Sequence, residues 1–145
     1  MENALSHGKR LQRIFGYLKS QHAECVDAPY TRFVDIDWAA QMKLGSIAGF
    51  LQMFTKKWHY FVGAPTSKKL EGTNDLKTRI LPKTKYVKTL HRGSYRSIEK
   101  TYKRMLVWIM QQGLSAENES FEFYLNEPGK VKKEDLETML LIPLR

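Results

Sequence analysis

The chain lacks most of the equipment of metal, cofactor or membrane chemistry. Cys25 is its one cysteine, which rules out an intramolecular disulfide and cannot alone build a zinc site. No apolar run approaches the ~20 residues of a membrane-crossing helix, and the N-terminus has no signal-peptide core. The default expectation is a cytoplasmic protein without membrane contact. Also missing are a glycine-rich phosphate loop, a metal-ligand cluster and a nucleophile–base–orienter set. No cofactor is expected, and enzyme is not the leading reading.

Acid is scarce as well: 15 Asp/Glu stand against 24 Lys/Arg, for a net charge of +9. The excess is local. Residues 76–104 carry Lys77, Arg79, Lys83, Lys85, Lys88, Arg92, Arg96, Lys100, Lys103 and Arg104 against the single acid Glu99. Such a patch suits DNA or another polyanion. A solvated basic face is the plainer reading, and nucleic acid is not the favoured partner.

What is present suits one packed domain: 145 residues, 42% hydrophobic and 12% aromatic, with no long linker. Residues 5–21 read as a helix, with Ser6 as N-cap and Leu11, Ile14, Phe15 and Leu18 on one stripe. That stripe needs a cover, either the domain itself or a second chain, which makes this helix a candidate protein or homodimer contact. After Ala28-Pro29 a strand is expected over Tyr30–Trp38, then a helix over 43–56 with Ile47, Phe50, Leu51 and Phe54 on one face. Strands follow over Trp58–Ala64, Leu76–Leu81 and Lys83–Leu90. His91-Arg92-Gly93-Ser94 starts the clearest helix, with Ile98, Tyr102, Met105 and Ile109 in register and Gly113 as its stop. Phe121–Asn126, a turn at Pro128-Gly129, and Leu136–Leu144 make a closing hairpin.

The two halves repeat weakly. Thr31-Arg32-Phe33-Val34 resembles Thr84-Lys85-Tyr86-Val87, Ser46-Ile47 resembles Ser97-Ile98, and Tyr60–Pro65 resembles Phe123–Pro128. Asp75–Pro82 echoes Asp135–Pro143 in the same order. The expected fold is therefore α+β: two pseudo-symmetric β-α-β-β units forming antiparallel sheet, with two core helices around a central cleft and an added N-terminal helix.

Tyr86–Tyr95, then Tyr102 and Trp108, then Phe121-Glu122-Phe123-Tyr124-Leu125-Asn126-Glu127-Pro128 resemble the GyrI-like (gyrase-inhibitor-like) effector-binding domain. That module senses ligands in AraC-type and multidrug-responsive regulators. The resemblance divides the chain into a helix and linker, 1–29, and an effector-binding domain, 30–145. It implies a central aromatic pocket with an acidic residue, taking amphipathic or cationic small molecules. Some members sense drugs for transcription, some stand alone and are linked to gyrase inhibition, and some hydrolyse cyclopropane-bearing drugs. The 29 residues before the domain cannot hold two helix-turn-helix units, so a standalone binding module is expected. A binder of DNA or of an acidic protein such as gyrase is the first alternative; a hydrolase of a reactive ligand is the second. Where many members have a glutamate on the last strand, this chain has Met139, and Arg79 is its counterpart in the repeat.

The candidate ligand-binding residues centre on Glu122 and Tyr124. Alternation puts Phe121, Phe123 and Leu125 on one face of the strand and Glu122, Tyr124 and Asn126 on the other. Glu122 either pairs with a lysine at the sheet surface or holds a cation beside aromatic faces. In the second case Tyr124, Phe61 and Trp108 belong near it. His59 aligns with Glu122 across the repeat, and Tyr60 and Tyr102 supply further rings. Met53 and Met139, like Met105, either line an adaptable pocket or pack the core. Phe33 shares a face with Asp35 and Asp37, which are a second acidic pair or plain solvent residues.

Overall fold

In a computed structural model of the chain, residues 4–43 and 59–145 are described. The first element, α1 (Ala4–Ser20), is followed by β1 (Tyr30–Val34), the short α2 (Trp38–Lys43) and β2 (His59–Gly63). After a long irregular segment come β3 (Tyr86–Arg92), a 3-10 turn at Tyr95–Ser97, α3 (Ile98–Gln111), β4 (Ser120–Tyr124) and β5 (Glu137–Pro143). The strands form one antiparallel sheet in the order β2-β1-β4-β5-β3. This is an α+β arrangement with an added N-terminal helix, as expected. The helix expected over 43–56 falls, beyond Lys43, outside the described residues, as do Met53 and Trp58.

Two expected strands are corrected. The first ends at Val34 rather than Trp38, because Asp35 takes a left-handed backbone (φ 58°) that breaks the ladder. Asp37 then caps α2, its Oδ1 accepting the Ala40 N–H at 2.9 Å, so Trp38 opens a helix. Residues 76–81 form no strand at all. β1 is already paired with β2 on one edge and β4 on the other, leaving no seat beside it. The segment stays on the surface, with Ile80 76% exposed. The first half therefore lacks the third strand that the repeat implied.

The sheet has two unlike faces. On the inner face α3 packs with Ile98, Tyr102, Met105, Leu106 and Ile109 against Leu140 and Ile142, and with Ile36 and Trp38. Leu140 and Ile142 are fully enclosed, so this is the main core. A smaller cluster forms where Leu18 of α1 meets Ala23 and Leu70, with Ile14 and Tyr17 alongside. Much of the α1 stripe is thus covered by the chain's own segment after β2, while Phe15 remains 40% exposed. Arg13 pairs with Asp75 at 2.6 Å, and the Tyr17 hydroxyl donates to the Glu71 carbonyl. On the outer face Tyr30, Phe121 and Phe123 pack ring to ring. Gly63 is required there, since a Cβ would fall 2.5 Å from the Tyr30 ring.

Both long helices end in the same way. In α3 the Leu114 N–H bonds the Ile109 carbonyl and the Gly113 N–H bonds that of Met110, with Gly113 left-handed at φ 66°. In α1 the Ala23 N–H bonds Leu18 and the His22 N–H bonds Lys19, but the left-handed residue is His22, at φ 49°. A side chain there costs about 1 kcal/mol that glycine does not. His22→Gly is expected to raise stability by up to about 1 kcal/mol, and Gly113→Ala to lower it by about the same amount. Urea denaturation midpoints of the two variants check both signs.

A buried carboxylate among tyrosines as the candidate functional site

Glu122 occupies the centre of the inner face. It lies on the middle strand, opposite Thr31 of β1 and Leu140 of β5, with Val62 and Thr89 completing the row across the sheet. Period-two alternation carries Ser120 and Tyr124 onto the same face. The side chain is 9% exposed, and no lysine or arginine among the described residues forms an ion pair with it.

Hydroxyls take the place of that cation. The Tyr102 hydroxyl, reaching down from α3, lies 3.1 Å from Glu122 Oε1 and 3.1 Å from Ser120 Oγ. The Tyr124 hydroxyl lies 3.2 Å from Glu122 Oε2 and 2.9 Å from Thr31 Oγ1. Tyr95, in the turn before α3, stands edge-on to Tyr124 with ring centroids 5.9 Å apart. Trp38 closes the other side against Tyr102 at 5.9 Å, its indole N–H donating to the Glu117 carbonyl at 2.7 Å.

This setting perturbs every group in it. Burial pushes the Glu122 carboxyl from 4.5 up to about 7, although the bonds from Tyr102 and Tyr124 act to lower it. Burial, and then the neighbouring Glu122 charge, holds the hydroxyls of Tyr124 and Tyr102 well above their ordinary value. Tyr95 is raised by the same two causes. The carboxyl is the group poised to change charge near neutrality, and a cation placed beside it would favour its ionised form.

The chain matches the GyrI-like small molecule binding domain over residues 42–145. It belongs to that family. No curated protein matches the chain. One similar solved structure is described as "Cryo-EM structure of EcmrR-DNA complex in EcmrR-RPo", with 15% identity and a TM-score of 0.54 over 94% of this chain. This chain spans 63% of that one, and the likeness is one of fold. A looser likeness, at 11% identity and a TM-score of 0.45 over 98% of this chain and 78% of the other, is to "Crystal structure of a hydrolase from Listeria innocua".

Within this GyrI-like domain the structure brings together Glu122, Tyr124 and Tyr102 directly. Tyr60 and Phe33 share their face one and two strands away, with rings 6.1 Å apart. The other candidates lie elsewhere. Phe61 and Met139 point to the outer face, opposite Arg32 and Phe123 respectively, and Phe61 is 54% exposed. His59 alternates with Tyr60, so it also lies on the side away from Glu122, where it meets Asp35 at 3.2 Å in solvent. Trp108 sits on the solvent side of α3, 46% exposed. Asp35 and Asp37 are exposed. The basic stretch is divided: Lys88 lies on the exposed outer side of β3, while Lys100, Lys103 and Arg104 belong to α3 over the inner face.

Several residues in the network carried no site assignment from sequence. Ser120 and Thr31 are small hydroxyls whose role depends on which strands pair. Tyr95 sits inside the family-like His91–Tyr95 turn, which was the available signal. His91, buried on β3, lies 2.8 Å from Thr101 Oγ1 through Nδ1 and 3.0 Å from the Ser94 carbonyl through Nε2, so it ties α3 to the sheet.

The Glu122 shift has a thermodynamic consequence. Its folded value lies above its unfolded one, so the native state holds the extra proton. Glu122 then costs nothing below about pH 4.5, costs more as pH rises toward 7, and reaches a constant penalty above that. The full penalty is of order 3 kcal/mol. The stability gain from Glu122→Gln is expected to grow by that order between pH 4.5 and 8, read by urea denaturation at each pH. A flat difference would mean the carboxyl is solvated.

Proposed function

We propose that the Glu122 site binds amphipathic organic cations, as the small-molecule site of this GyrI-like domain. One observation carries the reading: a carboxylate buried in mid-sheet, bonded only by hydroxyls, with no basic partner among the described residues. Nothing in ordinary core packing calls for such a group, because an unpaired buried charge is costly. A ligand cation offsets that cost, and the faces of Tyr95, Tyr102 and Tyr124 add attraction of about 0.5–2 kcal/mol each where they face the charge. Phe33 and Tyr60 offer apolar surface for the rest of the molecule. The Tyr60 hydroxyl is buried without a hydrogen-bond partner among the described residues, so it suits a polar group on the ligand.

The binding module would comprise residues 30–145, with the helix in 1–29 passing on the occupied state. A similar fold occurs in EcmrR, whose structure is described as a DNA complex, and this supports a role as the effector-sensing part of a regulatory system. The outer-face residues Phe61 and Met139, and Trp108 on α3, have no part in this reading of the site.

A planar cationic dye such as thioflavin T tests it, read by quenching of tryptophan emission, with Trp38 beside Tyr102 as the reporter. Binding is expected to tighten by up to about tenfold per unit as pH rises toward 7 and to level off above it, because only the ionised carboxylate holds the cation. Glu122→Gln is expected to weaken binding at least about tenfold at pH 8 and to abolish the pH dependence. Equal binding by the wild type and the variant, or no binding at all, rejects the proposal.

A further inference from the structure

The Glu122 network does not stop at the sheet. His7, on α1, lies outside the stretch that matches the family, yet its Nε2 is 3.2 Å from Thr31 Oγ1. Its ring stands edge-on to Tyr124, centroids 5.7 Å apart at 85°. A continuous path of polar atoms therefore runs from His7 through Thr31 and Tyr124 to Glu122, with steps of 3.2, 2.9 and 3.2 Å.

Counting hydrogens along this path shows what the histidine decides. Tyr124 has one hydroxyl hydrogen and two acceptors in reach, Thr31 Oγ1 and Glu122 Oε2. Thr31 also has one, and at 1% exposure it has no solvent to fall back on. If His7 Nε2 carries a hydrogen, it donates to Thr31, Thr31 donates to Tyr124, and the Tyr124 hydrogen is left for Glu122. The carboxylate is then fully supported. If Nε2 is bare, Thr31 donates to His7 and accepts from Tyr124, and Glu122 loses that donor. A protonated carboxyl that donates to Tyr124 Oη is then the better fit.

We propose that His7 is a positioning residue of the ligand site: through Thr31 its Nε2 decides whether the Tyr124 hydroxyl turns toward Glu122, ready for a cation, or toward Thr31. The inference rests on the reading of Glu122 as the cation-binding group. It makes the N-terminal helix part of the site rather than an appendage, since the arrangement that holds the cation is also the one in which His7 donates. Among the described residues, the titratable groups facing this path are Tyr95 and Tyr102 from the α3 side and Tyr124 from β4, and the nearest charged group placed on α1 is Arg10. The Arg10 guanidinium stands 5.3 Å over the Tyr60 ring.

The full chain with His7→Phe and His7→Gln provides the test. Phenylalanine keeps the ring and its edge contact with Tyr124 but has no nitrogen; glutamine keeps a donor at similar reach. Two quantities are read: thioflavin T affinity at pH 7.5, and the midpoint of the Glu122 carboxyl titration in the ligand-free protein by carbon-13 NMR. His7→Phe leaves Thr31 only Tyr124 to donate to, so the carboxyl midpoint is expected to move downward and dye binding to hold at or above the wild-type level. His7→Gln is expected to stay within about twofold of wild type. An unchanged or raised midpoint in His7→Phe overturns the proposal, whatever happens to dye affinity, and so does an equal shift in both variants. If the wild type binds no dye, the cation-site reading fails, while the midpoint shift in ligand-free protein still judges His7.

Discussion

A carboxylate sits in the middle strand of a five-stranded sheet, and the surrounding architecture follows from keeping it supplied with hydrogen-bond donors. No lysine or arginine among the described residues pairs with this position, flanked by β1 and β5. The donors must therefore come from groups that are themselves buried. Tyr102 descends from α3, Tyr124 rises from the same strand, and Ser120 and Thr31 supply small hydroxyls at the base. The Tyr102 bonds tie α3 to β4 and the Tyr124–Thr31 bond ties β1 to it, so the polar network and the tertiary fold are one set of constraints. Loosening α3 would remove a donor from Glu122 as directly as it would open the core.

The inner face divides its labour along the strand direction and across it. Toward β5, α3 seals Leu140 and Ile142 into a dry core. Toward β1 and β2 the surface turns aromatic and hydroxylated, with α1 laid against β2. Glu122 stands at this boundary, where one side excludes water and the other presents rings. Burial raises its proton affinity to about 7, so the group is held between two charge states instead of being committed to either. A fully solvated carboxylate would be ionised at neutral pH with or without a ligand. One sealed wholly inside the apolar half would be neutral in both cases.

Much of this was legible in the sequence, and the failures have separate physical causes. Alternation in Phe121–Asn126 separated Glu122 and Tyr124 from Phe121 and Phe123 correctly, because a period of two needs only the strand itself. The Ile98–Ile109 stripe gave α3, and Gly113 marked its end. What misled was alignment across the repeat. Pairing His59 with Glu122 and Phe61 with Tyr124 is out by one residue, and in a strand one residue exchanges the two faces. The structure puts Tyr60, not its neighbours, on the side of Glu122. Trp108 failed differently: widening the helix stripe by one position carried it past the buried arc. The unpaired segment at 76–81 has the residues of a strand, and the sheet has no free edge beside β1 to receive it. Contacts such as His7 to Thr31 join positions 24 residues apart and have no local signature.

If Glu122 is the cation site proposed above, the charge balance of the chain bears on how it would select its ligand. A molecule of net charge +9 repels cations at long range, so steering cannot be what brings one to Glu122. At physiological ionic strength that repulsion is screened beyond about 8 Å. The basic residues of the 76–104 stretch are also spread over both sides of the sheet instead of ringing the carboxylate. Close to Glu122 the balance reverses, because low polarizability strengthens the single local charge while distant ones are screened. Under the proposed function, recognition would be a contact property, open to a ligand able to leave water and lie against tyrosine faces. Small hydrated ions gain little there: they would lose their water and find one carboxylate and a few hydroxyls in return. An organic cation sheds less hydration and brings apolar surface of its own, and on the proposed reading that is the ligand chemistry such a half-polar, half-aromatic boundary would favour.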